Sequence, residues 1–106
     1  MSYLKVAQLD ELPSGEMRGV VVDGVKVLVV NLDGEVFAYQ DRCLHMGVPL
    51  SQGWFEGGSI VCFLHGWEYD ARTGETVSPR GSCLKRYPVR VEAGEVWVSV
   101  EEDKHG

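Results

Sequence analysis

Cys43-Leu44-His45 and, sixteen residues further on, Cys62-Phe63-Leu64-His65 are the stretch around which the rest of the chain is read. Each half supplies one thiolate and one imidazole from a single short loop. A [2Fe–2S] centre in which one iron takes two Cys and the other takes two His needs that combination. When each loop straddles the centre, its Cys reaches the inner iron and its His the outer one, so both loops clamp both metals. Soft thiolates suit iron–sulfur chemistry, while imidazole suits iron, copper or zinc. Two Cys and two His are also a zinc set, but zinc modules usually order them as Cys-x-x-Cys followed by His-x-x-x-His, with like ligands paired locally. Here unlike ligands are paired twice. The pattern favours an iron–sulfur site formed by Cys43, His45, Cys62 and His65, with a zinc-stabilised interaction module as the alternative.

Upstream of the first pair the pattern is that of strands. Residues 3–7 alternate as a first short strand, and residues 9–16 are a turn-rich connection punctuated by Pro13 and Gly15. Residues 17–22 and 25–31 flank Asp23-Gly24, and Asp33-Gly34 leads into residues 35–40. An Asp-Gly pair between β-branched runs is a strong hairpin signal. From residue 41 to about 80 the alternation fades and Gly, Pro and Ser become frequent, with short strands expected at 59–63 and 67–70. A loop-rich segment of this length is unusual in a compact domain unless it is functional. Metal ligation supplies the reason, because it orders loops that bury little apolar surface. Residues 84–92 and 95–100 then form a closing hairpin across Ala93-Gly94, and the charged tail 101–106 is expected to fray. No stretch has a helical period. The expected fold is all-β, an antiparallel sandwich or small barrel. It makes one domain over 1–106, with a cluster-binding subdomain at about 41–81 inserted in a β base formed by 1–40 and 82–106.

Cys43-x-His45 and Cys62-x-x-His65-Gly66-Trp67, with Thr73-Gly74 just beyond, resemble a Rieske-type ferredoxin, and the resemblance covers nearly the whole chain. Ala38-Tyr39-Gln40 and Cys83-Leu84-Lys85-Arg86-Tyr87-Pro88-Val89 are most similar to the ferredoxin component of toluene-4-monooxygenase-type systems. The resemblance implies a β base with a cluster-binding subdomain at one end, and one Rieske [2Fe–2S] cluster bound by the four residues above. It also implies that each His binds through its δ nitrogen. Respiratory-chain Rieske proteins place an extra Cys in each ligand loop and a Ser two residues after the second His. Here those positions hold Val48, Leu64 and Trp67. Without a hydroxyl donor to a cluster sulfur the reduced form is less stabilised. The potential is therefore expected at the low end of the range of about −150 to +300 mV known for Rieske centres. Tyr69 is the residue whose hydroxyl would oppose that trend if it reached a ligand sulfur.

The chain carries 10 Lys and Arg against 16 Asp and Glu, a formal net charge of −6. No basic stripe invites nucleic acid. An acidic surface suits steering toward a basic partner, and it equally serves solubility. Of the 3 Cys, two are candidate ligands and Cys83 is left over, so a disulfide framework is excluded. With no apolar run long enough for a bilayer and no leader pattern at the start, the expectation is a soluble cytoplasmic protein; a monomer is also expected. No nucleotide-binding glycine fingerprint is present, and there is no length for a mononuclear-iron domain. The expected role is therefore a one-electron carrier rather than an enzyme. The resemblance implies an NADH-dependent flavin ferredoxin reductase upstream and a di-iron aromatic monooxygenase hydroxylase downstream. A ferredoxin of a Rieske dioxygenase is the alternative within the class, and a small subunit of nitrite reductase is another. Leu44, Met46, Val48, Pro49, Leu50, Leu64 and Trp67 surround the ligands and either shield the cluster or dock a partner.

Overall fold

The computed structural model describes residues 2–44, 47–64, 66–78 and 80–100. Its strands are β1 (Leu4–Gln8), β2 (Met17–Val22), β3 (Val25–Leu32), β4 (Glu35–Gln40), β5 (Trp54–Glu56) and β6 (Ser59–Val61). They continue as β7 (Glu68–Asp70), β8 (Thr76–Ser78), β9 (Arg86–Tyr87), β10 (Val89–Glu92) and β11 (Glu95–Val98). Three antiparallel sheets result, ordered β1-β11-β10, β2-β3-β4-β9 and β5-β6-β7-β8. The fold is all-β, as the strand periodicity requires. Among the described residues helix is confined to single 3-10 turns at Leu9–Glu11 and Leu50–Gln52. Among the described residues no helix is long and apolar enough to cross a membrane.

β3 is the keel. Its run Val27-Leu28-Val29-Val30 is fully buried on both faces, so it reads as a continuous apolar stretch rather than an alternating one. Successive side chains point to opposite faces. Val27 and Val29 join Val22, Ala38, Tyr87, Val98 and Val100 in one core. Leu28 and Val30 join Phe37, Tyr39, Ile60, Tyr69 and both ligand-loop cysteines in the other. Full burial of each such side chain stabilises by about 1.5–3 kcal/mol, so the second core ties the end that carries Cys43 and Cys62 to the main sheet.

The hairpin turns match their sequence signals. Asp23, Asp33 and Ala93 have φ of 50°, 54° and 51°, and the glycines that follow have φ of 82°, 93° and 75°. Two successive positive φ values are what a two-residue turn needs to match the strand twist. Asn31 fixes the second of these turns, accepting from the Gly34 N–H at 2.9 Å and donating to the Leu12 carbonyl at 2.8 Å.

The expected strand at 84–92 is two strands in two sheets. Tyr87 pairs with Ala38 in the second sheet, while Val89 pairs with Val98 in the first. Pro88 stands between them and has no N–H to carry a ladder forward. β5 and β8 carry no alternation in sequence and are found only through their partners. The third sheet is drawn entirely from residues 54–78, with Trp54 opposite Val61 and Ile60 opposite Tyr69.

Candidate cluster-binding site

Both cysteine loops are built as the same turn. The Cys43 N–H donates to the Val48 carbonyl at 2.7 Å, and the Cys62 N–H donates to the Trp67 carbonyl at 2.8 Å. Each ring therefore closes on the residue five positions on. Gly47 and Gly66, each four residues after its cysteine, have φ of 72° and 67°. A side chain there costs about 1–2 kcal/mol in left-handed backbone. The repeat of Gly at the fourth position is a signal that the sequence reading passed over.

Cys43 and Cys62 are fully buried thiols in the same core. Burial pushes the Cys62 thiol above its ordinary pKa, and the neighbouring Cys43 pushes it further, while the Leu64 N–H pulls the other way. A buried pair of bare thiolates is costly, whereas metal that replaces both protons removes that cost. The donors around them suit ligated sulfur. The Leu64 N–H points at Cys62 Sγ at 3.5 Å, and the Tyr69 hydroxyl lies 3.4 Å from Cys43 Sγ. Tyr69 also accepts the Leu44 N–H at 2.9 Å. Burial raises its pKa, with Cys43 adding to the effect. The hydroxyl keeps its proton, and a metal-bound thiolate has none, so oxygen is then the donor. His45, His65 and Met46 lie outside the described residues.

The first loop is anchored from below by a side chain. Asp41 is nearly buried, and its carboxylate accepts the Ser51 N–H at 2.8 Å and the Ser51 hydroxyl at 2.6 Å. β2 makes room for this clamp with Gly19, where a Cβ would come within 2.6 Å of Ser51 Oγ and 2.7 Å of Asp41 Oδ2. The second loop needs no such clamp. It joins β6 to β7, whose register sets Val61 opposite Glu68. A third brace links the third sheet to the main one. Tyr39 donates to the Ala71 carbonyl at 2.7 Å, and its ring fills the space beside Gly74, where a Cβ would come within 2.8 Å. Burial pushes the Tyr39 pKa up to about 12, helped by Asp70 and Cys83 and opposed by Arg86, so it stays a donor.

The apolar residues around the loops divide. Leu50 is buried, and Val48, Leu64 and Trp67 pack against the core. Leu44, Phe63 and Trp54 are instead 38%, 41% and 54% exposed. Leu50 and Val48 are thus packing residues, while Phe63 and Trp54 lie outside the set that the sequence singles out. Glu68 and Asp70 each take a local donor. Glu68 accepts the Ser59 hydroxyl at 2.7 Å, and Asp70 accepts the Arg72 N–H at 2.8 Å. Cys83 is exposed and points its thiol at the Thr73 and Leu84 carbonyls.

A strand-built frame, two like turns presenting buried thiols and a matched Cys/His sequence define an iron–sulfur protein of the Rieske class. The Rieske [2Fe-2S] domain model matches residues 2–88, and the chain belongs to that family. Its cofactor is a Rieske-type [2Fe–2S] cluster, which replaces the zinc alternative. The chain is 43% identical over 101 residues to the biphenyl dioxygenase ferredoxin subunit of Pseudomonas sp. (strain KKS102), covering 92% of each chain. It is 33% identical over 102 residues to the ferredoxin component of the alkene monooxygenase system of Xanthobacter autotrophicus, covering 95% of this chain and 84% of that one. A chain in the solved complex of reduced oxygenase and oxidized ferredoxin in carbazole 1,9a-dioxygenase superposes with a TM-score of 0.84 at 31% identity, over 92% of both chains.

Proposed function

We propose that this chain is the one-electron carrier of an aromatic-ring-hydroxylating dioxygenase system. In this reading Cys43 and Cys62 hold one iron and His45 and His65 the other. Residues of about 41–81 serve as the cluster-binding unit, carried on a base of 1–40 and 82–106. The bound cluster supplies a one-electron couple and nothing else. The protein's part is to exclude water from the sulfurs, to hold donors on them, and to present the loop tips to partners. An NADH-dependent flavin reductase loads the electron and the terminal oxygenase removes it. The chain works as a monomer in the cytoplasm, and the cytoplasmic reading is supported by three cysteines of which none is in a disulfide.

One observation carries this: the near full-length identity of 43% with a biphenyl dioxygenase ferredoxin subunit. It favours the dioxygenase alternative over the di-iron, toluene-type monooxygenase expected from the sequence. The monooxygenase reading keeps one support, the 33% identity with an alkene monooxygenase ferredoxin component. Anaerobic stopped-flow mixing of the reduced protein with a Rieske dioxygenase and, separately, with a di-iron aromatic hydroxylase tests the choice. Fast, saturable oxidation by the dioxygenase alone is expected. Oxidation by the di-iron enzyme alone would overturn the proposal and restore the monooxygenase reading.

A further inference from the structure

A cleft of about 410 Å³ borders the first cysteine loop and differs in charge from the rest of the molecule. Its charged walls are Lys26 on β3, Arg42 immediately before Cys43, and Lys85 ahead of β9, with half-buried Val25 and Pro49 as apolar surface and the buried Tyr87 behind them. Lys26 and Arg42 are exposed, and the Lys85 ammonium lies 5.7 Å from the Tyr87 ring centre. Among the described residues the one carboxylate lining the cleft, Asp41, is engaged by Ser51. Among the other described basic residues, Lys5 meets Glu95 at 2.7 Å, Arg72 meets Glu35 at 3.3 Å, Arg90 meets Glu92 at 3.2 Å and Arg86 lies over the Phe37 ring at 5.1 Å. Three of the 10 basic residues thus gather beside the ligand loop of a chain whose net charge is −6.

The chemistry of the walls narrows the occupant. The backbone N–H groups of Gln40, Asp41, Gly47 and Lys85 donate within the protein, to Lys85, Lys26, Cys43 and Gln40 respectively. They form no amide nest of the kind that cradles a phosphate. Recognition here is left to a guanidinium and ammonium groups around an apolar patch. That combination fits an Asp or Glu side chain, its stem on Val25 and Pro49 and its carboxylate among the cations. We infer that this cleft is a docking socket for a carboxylate-bearing loop of the terminal oxygenase, an assignment that rests on the carrier reading above. The acidic remainder of the chain steers toward a basic partner surface, and a cationic notch within it fixes one orientation of the encounter. Seated there, the partner lies against the first ligand loop.

The test is oxidation of the reduced carrier across a titration of whichever oxygenase accepts electrons from the wild type. Lys26→Glu/Arg42→Glu is expected to raise the half-saturating oxygenase concentration about tenfold at low salt. The difference should shrink at high salt, where the Debye length falls to about 3 Å. Because Arg42 adjoins Cys43, Lys26→Glu alone is the second variant, expected to show about a threefold rise with an unchanged visible spectrum and potential. Arg72→Glu/Arg90→Glu, the same charge change away from the cleft, should change it less than about twofold. Equal titrations for wild type and cleft variants would overturn the inference. Weakened reduction by the reductase alone, or a shift in sedimentation assigning the cleft to a second copy of the chain, would overturn it too. If no oxygenase oxidises an intact wild-type carrier, the functional reading itself fails, a result distinct from efficient transfer by every variant.

Discussion

The two cysteine turns share one backbone plan and are held in place by different means. Each closes from the Cys N–H to the carbonyl five residues on, and each turns at a glycine with positive φ. The second turn inherits its position from the β6–β7 hairpin, so strand register holds it. The first joins β4 to a single 3-10 turn and has no hairpin beneath it. Its place is set by side chains instead: Asp41 on Ser51 below, and Tyr69 on Leu44 and Cys43 above. Tyr69 itself stands on β7, just past the second turn. One sheet therefore positions both thiols, the second through its ladder and the first through a single buried hydroxyl.

The comparison can be broken most severely at the sulfurs, where the turns should be equivalent. Cys43→Ser and Cys62→Ser are each expected to abolish cluster binding, read as loss of iron, sulfide and visible colour. A full complement in either variant would remove that residue from the ligand set. Asp41→Ala should separate the turns. Losing two hydrogen bonds to a carboxylate costs about 3–6 kcal/mol in total. Amide exchange is expected to rise in residues 42–51 while residues 61–64 and 66–67 keep their protection. Equal exchange in both turns would mean that Asp41 braces the whole end of the molecule.

A smaller effect tests the shared plan. Gly66→Ala and Gly47→Ala should each cost about 1–2 kcal/mol by denaturant unfolding, since both place a Cβ on left-handed backbone. At Gly66 the added Cβ meets nothing within 4 Å, and at Gly47 it meets only the flexible Arg42 side chain at 3.2 Å. Similar losses support one turn used twice, and a loss at one site alone would contradict it. The smallest expected change is in potential. Tyr69→Phe removes a donor to Cys43 sulfur, and a hydrogen bond of about 1 kcal/mol corresponds to roughly 40 mV for one electron. The midpoint should fall by that order in a redox titration. An unchanged midpoint would leave Tyr69 as a packing residue.

Much of this architecture is readable from local chemistry. Asp23-Gly24, Asp33-Gly34 and Ala93-Gly94 mark turns that need consecutive positive φ, and β2 and β4 fall where the alternation places them. The Cys/His duplication carries the cluster class without any fold. What escaped was set at long range. β5 and β8 are three-residue strands defined by their partners. The change of sheet at Pro88 depends on which ladder lies on either side. The clamp between Asp41 and Ser51 looks like two ordinary polar residues until Gly19, on another strand, is seen to have vacated the space for it. Phe63 and Trp54 resemble core residues in composition alone; Trp54 is exposed on β5, an edge strand of the third sheet, and Phe63 in the loop between β6 and β7.

The most direct test of the central claim is pulsed electron paramagnetic resonance of the reduced protein, with histidine nitrogens labelled by ¹⁵N. Couplings from two imidazole nitrogens on one reduced [2Fe–2S] cluster are the predicted result, and replacement of His45 or His65 should remove the signal of the intact centre. A cluster with no imidazole coupling, or a colourless protein with no reducible iron, would contradict the assignment of Cys43, His45, Cys62 and His65.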